Sequence, residues 1–311
     1  MTERVRVQPV SRANLGPLVN TGEHLRAAVA GWQDTAPAEG RARRPSELSL
    51  DLAHLAHHDG DGFLVATIDD TVAGFCTAYV RSRTLSVTGL WLLPDFDERA
   101  VATHLVRRAL AYGERAGAVE ACSLVLTGAL AEGVLFRFGL RPRFPVYRIR
   151  LALSAARTLG NGLARLLPGS ESTEQNLRRQ TGRADTERID RLCRGLARPM
   201  DHEYWIAERG LRVAMVRDAN RVAAYAYGGR GQCGPLAATT SDAAMAALGW
   251  ALKLASEDGE DEVEILVPGV FEAAMEHLLE AGGRCLATAQ WMSRHPGSGM
   301  ERYILGSTTI P

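Results

Sequence analysis

Lysine is almost missing from this chain: of 36 basic residues only Lys253 is a lysine. We read this as the mark of GC-rich coding, so the abundance of arginine says nothing by itself about phosphate binding. Net charge is missing too, with 36 acidic residues balancing the basic ones, which excludes a global field that draws in nucleic acid or a membrane surface. The five cysteines (Cys76, Cys122, Cys193, Cys233, Cys285) are scattered, odd in number and without a C-x-x-C pair, which excludes a disulfide framework or a thiol-pair metal site. Their apolar surroundings read as packing positions in a reducing cytosol. No apolar run approaches the length of a bilayer span, and Met1 to Arg6 lack the apolar core of a secretory signal. A soluble, cytoplasmic protein is expected. G-x-S-x-G, H-E-x-x-H and Walker patterns are also absent, which removes three familiar routes to hydrolysis or phosphoryl transfer.

What is present appears twice. With 311 residues and 46% hydrophobic content the chain can bury two ordinary cores. Residues 62–80 read as two β-branched and aromatic strands joined by the polar turn Asp69-Asp70, and residues 212–227 repeat the pattern around Ala219-Asn220-Arg221. That is the hairpin signal. Downstream, Ser123-Leu124-Val125-Leu126 and Gly128 lead into an apolar helix, and Glu264-Ile265-Leu266-Val267 with Pro268-Gly269 does the same. A period near half the chain length predicts duplicated domains rather than a solenoid.

Between these landmarks the sequence reads as a first strand at Arg4–Pro9, a helical region over 11–60 interrupted at 36–40, the first hairpin, and a third strand from Thr84 to Leu93. Val101, Leu105, Val106, Ala109 and Leu110 recur at helical spacing, with Arg107 and Arg108 opposite, and predict an amphipathic helix lying on a sheet. Residues 155–192 shift to glycine, proline and charge, as a connector with short helices does. The second half then abbreviates the first: hairpin, strand 232–238, helix 241–256, strand 262–267, helix 270–281, and strands near 285–293 and 301–305. A long antiparallel meander before the first central helix argues against a doubly wound dinucleotide fold. Gly229-Arg230-Gly231-Gln232-Cys233-Gly234 fits G-x-G-x-x-G but leads into a strand, so it reads as a turn.

Three stretches of the first half carry a resemblance: Thr88-Gly89-Leu90-Trp91-Leu92-Leu93-Pro94-Asp95-Phe96, the turn and helix start that follow, and Leu135-Phe136-Arg137-Phe138-Gly139-Leu140-Arg141-Pro142-Arg143-Phe144-Pro145-Val146-Tyr147. They resemble the fourth strand, diphosphate loop and closing helix and strand of the GNAT superfamily of acyl-CoA-dependent N-acyltransferases. The second half, through residues 197–202, 234–238, 267–269 and Arg302-Tyr303, is similar to the C-terminal domain of tandem GNAT proteins. The resemblance implies an α/β (α+β) fold of two tandem GNAT-like domains, each a mixed, mostly antiparallel sheet flanked by helices. The expected division is 1–152 for the domain holding acyl-CoA, 153–192 for the connector and 193–311 for a degenerate second domain. It implies transfer from acetyl-CoA or another acyl-CoA, bound as a substrate, to a small-molecule amine. No nucleic acid or membrane partner is expected, and a homodimer is compatible with the sequence. The alternative is a non-catalytic GNAT-like binding module or enzyme subunit that has lost the cofactor site.

In such a fold the backbone around Leu90 and Leu92 would meet the pantetheine arm, and Arg99, Ala100, Val101, Ala102 and Thr103 would face the diphosphate at a helix start. The family's loop begins with Gln or Arg and has a glycine where this chain has Ala100, while Asp97 stands at the first position. Asp97 and Glu98 read either as charges repelling phosphate or as an ordinary cap and dipole complement. The position matching the family's thiolate-protonating tyrosine is Leu135, and the fourth strand offers no acidic base among Ser86, Val87, Thr88 and Gly89. The densest set of candidate catalytic groups is therefore Asp201, His202 and Tyr204, whose other reading is a helix start capped by Asp201. His54 and His58 share a helical face, but no metal is expected.

Overall fold

The computed structural model describes residues 5–10, 47–93, 96–126, 130–172, 174–258, 261–297 and 299–311. Most of the helical region expected over 11–60 lies outside them. The chain divides into two compact units, one built from residues 1–143 and 290–295, the other from 144–289 and 296–311.

In the first unit the strand β1 (Arg6–Pro9) is followed by the helix α1 (Glu47–His58) and the meander β2 (Phe63–Ile68), β3 (Thr71–Arg81) and β4 (Thr84–Leu92). Asp69 and Asp70, at φ 47° and 61°, form the tight turn that lets a right-twisted hairpin close. Then come α2 (Glu98–Arg115), β5 (Glu120–Leu126), α3 (Leu130–Arg137) and β6 (Arg141–Ala152), whose first residues belong here. Strands pair in the order β1-β2-β3-β4-β5, antiparallel except for the parallel pair β4 and β5. The stripe Val101, Leu105, Val106, Ala109 and Leu110 is buried against the sheet with Leu64, Ala78 and Val87, as its spacing requires. On the other face Leu48 and Leu52 of α1 pack with Phe63, Phe75 and Trp91. Each such side chain contributes about 1.5–3 kcal/mol on burial.

The second unit contains α4 (Leu153–Leu163), β7 (Gly169–Ser172), α5 (Glu174–Arg178), α6 (Gln180–Arg194) and α7 (Pro199–Ala207). These are followed by β8 (Arg212–Asp218), β9 (Arg221–Gly229), β10 (Gln232–Ala238), α8 (Ser241–Glu257), β11 (Glu262–Pro268), α9 (Glu272–Glu280), β12 (Arg284–Ser293) and β13 (Tyr303–Ile304). Its order, β7-β8-β9-β10-β11, repeats that of the first unit, again with only the β10 and β11 pair parallel. The segment 153–192 thus contributes the edge strand β7 beside three helices, a strand too short and polar to show alternation.

The repeat extends to the irregularities. Ala73 is the extra residue between β2 and β3, and Ala223 is its counterpart between β8 and β9. Thr88 bulges from β4, and Gly234-Pro235 from β10 opposite Tyr227. Bulges in the same places are inherited design rather than coincidence. The final strands change sides: Val146–Ala152 of β6 pairs antiparallel with β11 in the second unit, and Gln290–His295 belongs to the first unit. There the Arg294 N–H donates to the Ala121 carbonyl at 3.0 Å, while the Arg143 guanidinium holds the Ser293 and Arg294 carbonyls at 3.1 and 2.7 Å.

Candidate functional site

In the first unit β4 and β5 stay parallel neighbours only from Thr84/Glu120 to Val87/Ser123. At that point the Ser123 hydroxyl donates to the Val87 carbonyl at 2.5 Å, Thr88 bulges, and the strands part. Beyond the bulge, among the described residues, β4 is paired only with β3. The Leu93 N–H donates to the Ala73 carbonyl, so alternation directs the peptide groups of Trp91 and Gly89 to β3 and those of Leu90 and Leu92 to the open edge. Both of the strand residues expected at the pantetheine arm therefore present backbone groups where an extended chain could pair. Gly89 is compulsory here, because an added Cβ would lie 1.5 Å from the Trp91 ring, which stacks on Phe75 at 4.6 Å.

The helix start lies nearby in the chain. Asp97 is the N-cap of α2, and its side chain accepts the Ala100 N–H at 3.0 Å. The capping reading of Asp97 is the observed one, with Glu98 in the first turn. Of the next side chains, Val101 and Ala102 are buried in the core, and the Thr103 hydroxyl donates to the Arg99 carbonyl at 2.7 Å. The expectation that residues 99–103 face an anion narrows to Arg99 and the first-turn N–H groups, which no helix satisfies internally. Arg99 lines a solvent-open cleft of about 270 Å³ with Leu130, Gly133, Val134 and Arg137. An added Cβ at Gly133 would meet nothing within 4 Å. Leu135, at the position where the family pattern places a tyrosine, is buried in the core and has no proton to give. Gly133 and Arg137 were not singled out from the sequence, since only the packing of α3 tells the cleft face from the core face.

Asp201, His202 and Tyr204 lie on α7 in the second unit, all buried. Pro199 opens this helix and Arg198 is its N-cap, so Asp201 sits in the first turn rather than at the cap. His202 does not pair with its sequence neighbour. Its Nε2 faces Asp190 Oδ2 at 2.9 Å and its Nδ1 faces the Tyr227 hydroxyl at 2.8 Å. The carboxylate can only accept, so Nε2 carries a proton, and the second ring nitrogen shares a hydrogen bond with the Tyr227 hydroxyl. Tyr225 donates to Asp190 Oδ1 at 2.5 Å, and Arg198 donates to the hydroxyls of Tyr225 at 3.0 Å and Tyr303 at 2.5 Å. Burial pulls the Asp190 carboxyl upward, but the charges of Arg198 and His202 and the bonds from His202 and Tyr225 outweigh it and hold the group below the ordinary carboxylate range. Burial, reinforced by the Asp190 charge, pushes the Tyr227 phenol well above its ordinary value. His202 also borders a cleft of about 350 Å³ lined by Leu177, Arg183, Thr186 and Glu203. In this arrangement neither ring nitrogen can take a proton from an amine without giving up a partner. Asp190 was legible in principle: it falls on the buried stripe Thr186, Ile189, Asp190, Cys193 of α6, where a charge demands a partner.

The second unit differs from the first at the matching strand opening. Pairing of β10 with β11 ends at Cys233/Ile265, and β13 then lies antiparallel on β10 through Leu236/Ile304 and Ala237/Tyr303. A further bridge joins Leu266 to Leu305. In the second unit the chain's own segment thus fills a gap that no described strand fills in the first. Among the described residues no three metal-ligating side chains converge, and no helix is long and apolar enough to cross a membrane.

Comparison with known proteins agrees with this geometry. Residues 27–131 match the Acetyltransferase (GNAT) family. Across nearly the whole chain the fold is similar to that of a putative acetyltransferase from Pyrococcus horikoshii, with 17% identity, 98% of this chain and 92% of that one covered, and a TM-score of 0.68. It is also similar to a GCN5-related N-acetyltransferase from Sphaerobacter thermophilus, with 14% identity, coverage of 96% and 98%, and a TM-score of 0.57. A tandem GNAT protein from the clavulanic acid biosynthesis pathway matches at 15% identity, coverage of 95% and 100%, and a TM-score of 0.52. No curated protein matches in sequence. The open strand pair and the repeated topology fit the family that residues 27–131 match. Over nearly its whole length the chain has a fold similar to that of a tandem GNAT protein.

Proposed function

We propose that the first unit binds acetyl-CoA or another acyl-CoA and transfers the acyl group to a small-molecule amine. The observation that carries this reading is the open edge of β4 at Leu90 and Leu92, in the same unit as a cleft lined by two arginines. Pantetheine would pair with the strand edge, and the nucleotide phosphates would meet Arg99 and the start of α2. The neutral amine attacks the thioester carbonyl, the C–N bond forms, the C–S bond breaks, and the thiolate leaves while the amine proton passes to water or base. With Leu135 buried, α3 supplies no acid at the family's position, so the chain's contribution is placement and polarisation of the carbonyl by backbone N–H groups. The second unit, its opening filled by β13, leaves the acyl donor to the first. Asp201, His202 and Tyr204 enter this proposal as groups that shape the second unit, with His202 clamped between Asp190 and Tyr227.

A second reading, a non-catalytic binding module or subunit, is favoured by the Asp97 carboxylate already seated on the Ala100 N–H. Thermal shift with acetyl-CoA and longer acyl-CoAs separates the two, because a ligand of the native state raises the midpoint. A rise, followed by amine-dependent thiol release across an amine panel, is the expected result. No shift with any acyl-CoA would establish the second reading.

A further inference from the structure

We infer that the acyl-CoA diphosphate is gripped across the first unit's cleft by two guanidinium groups, Arg99 at the start of α2 and Arg137 in the last turn of α3. The inference rests on the acyl-CoA reading above and adds Arg137, which no diphosphate-loop pattern contains. Both side chains line the same cleft of about 270 Å³. Neither has an ion-pair partner among the described residues, whereas Arg81 is fixed on Asp59 at 3.0 Å and Arg148 on Glu264 at 2.6 Å. Two guanidinium groups on one cleft, without an ion pair among the described residues, repel each other and favour an anion between them, and a planar fork suits phosphate oxygens.

The bare helix start is poorly placed to do this alone. Asp97 takes the Ala100 N–H, and the Thr103 hydroxyl is bonded to the Arg99 carbonyl. Asp97 and Glu98 add two negative charges on the α2 side. A compensating cation therefore has to come from another element, and Arg137 on α3 lines the same cleft. Gly133 leaves that helix bare one turn earlier, with open space where a Cβ would be. Leu130 and Val134 supply the apolar remainder of the lining. The ordinary alternative is that Arg137 only complements the C-terminal dipole of α3.

The test is calorimetric binding to the full chain of three probes: acetyl-CoA, acetyl-dephospho-CoA, which keeps the diphosphate, and acetylpantetheine, which lacks every phosphate. The variants are Arg137→Ala and Arg99→Ala. A charge-assisted hydrogen bond corresponds to roughly tenfold or more in affinity, so each variant is expected to weaken both nucleotides about that much while leaving acetylpantetheine unchanged. Because both side chains are exposed, melting temperatures should stay at the wild-type value. Equal affinity of wild type and Arg137→Ala for acetyl-CoA overturns the clamp and leaves the acyl-CoA reading standing. A loss confined to acetyl-CoA, with acetyl-dephospho-CoA unaffected, overturns the diphosphate assignment in favour of the 3′-phosphate. Wild type binding none of the probes overturns the acyl-CoA reading and the clamp with it.

Discussion

The Asp97 carboxylate accepts the Ala100 N–H at 3.0 Å, and removing it should have two opposite consequences. Loss of an N-cap costs about 1 kcal/mol of stability, so Asp97→Ala should melt earlier. The same change frees a peptide N–H and removes a negative charge beside the cleft, so acetyl-CoA should bind more tightly. Asp97→Arg with Ala100→Gly should tighten it further. Calorimetry and thermal melts on the same samples check both signs, and unchanged affinity in both variants would place the diphosphate elsewhere. At Asp190 the relevant variable is pH. Its folded carboxyl titrates below the ordinary value of about 3.9, so its stabilisation is present above that value and is lost as pH falls through the lower folded one. Asp190→Asn leaves buried Arg198 and His202 without their charge partner, a loss of about 3–5 kcal/mol at neutral pH. In urea melts the gap between wild type and variant should narrow below about pH 4. A gap that is constant from pH 7 to pH 3 would mean that Asp190 is not ionised in the folded protein.

At the scale of elements, β4 joins stability to the site. Its bulge at Thr88, the Ser123 bond to Val87 and the glycine under Trp91 together turn an ordinary strand into one with a free edge. Gly89→Ala places a methyl group inside the Trp91 ring and must displace it from Phe75. Overpacking of this kind costs about 1–3 kcal/mol. We expect a lower urea midpoint for Gly89→Ala and a change in tryptophan fluorescence, whereas Gly133→Ala, whose Cβ enters open space, should melt at or above the wild-type temperature. Equal stability of the two variants would show that the Trp91 position is not held by Gly89. In the second unit the corresponding opening is covered by β13, with Gln232 donating to the Gly234 and Gly306 carbonyls at 3.1 and 2.5 Å and so securing the segment that follows.

For the whole molecule, the exchange of final strands sets the unit of folding. The second unit needs 144–152 from the first half of the sequence, and the first unit needs 290–295 from the second. A chain ending at residue 152 would expose β5 without its Arg294 partner, and one beginning at 153 would leave β11 without the antiparallel register Glu262/Ala152 to Pro268/Val146. Unpaired buried edges are aggregation-prone. Residues 1–152 and 153–311 expressed separately are therefore expected to be insoluble or poorly structured by circular dichroism, and co-expression should recover folded protein. Separately folded, soluble halves would show that the exchanged strands are dispensable.

The repeat, the hairpins, the amphipathic stripe of α2 and the cap at Asp97 were all legible along the chain, because each depends on residues within a few positions of one another. Periodicity reports which face of an element is apolar and turn chemistry reports where the chain reverses, so the paired, mostly antiparallel units followed from local pattern. The partner of His202 did not. Only folding brought Asp190, twelve residues earlier, onto Nε2. Nor could local pattern show that Leu135 faces the core while Arg137 and Gly133 face a cleft, that β13 closes the second opening, or that the final strands change units. Those outcomes depend on which long-range pairings bury the most apolar surface and satisfy the most backbone groups, and only the assembled tertiary structure decides them.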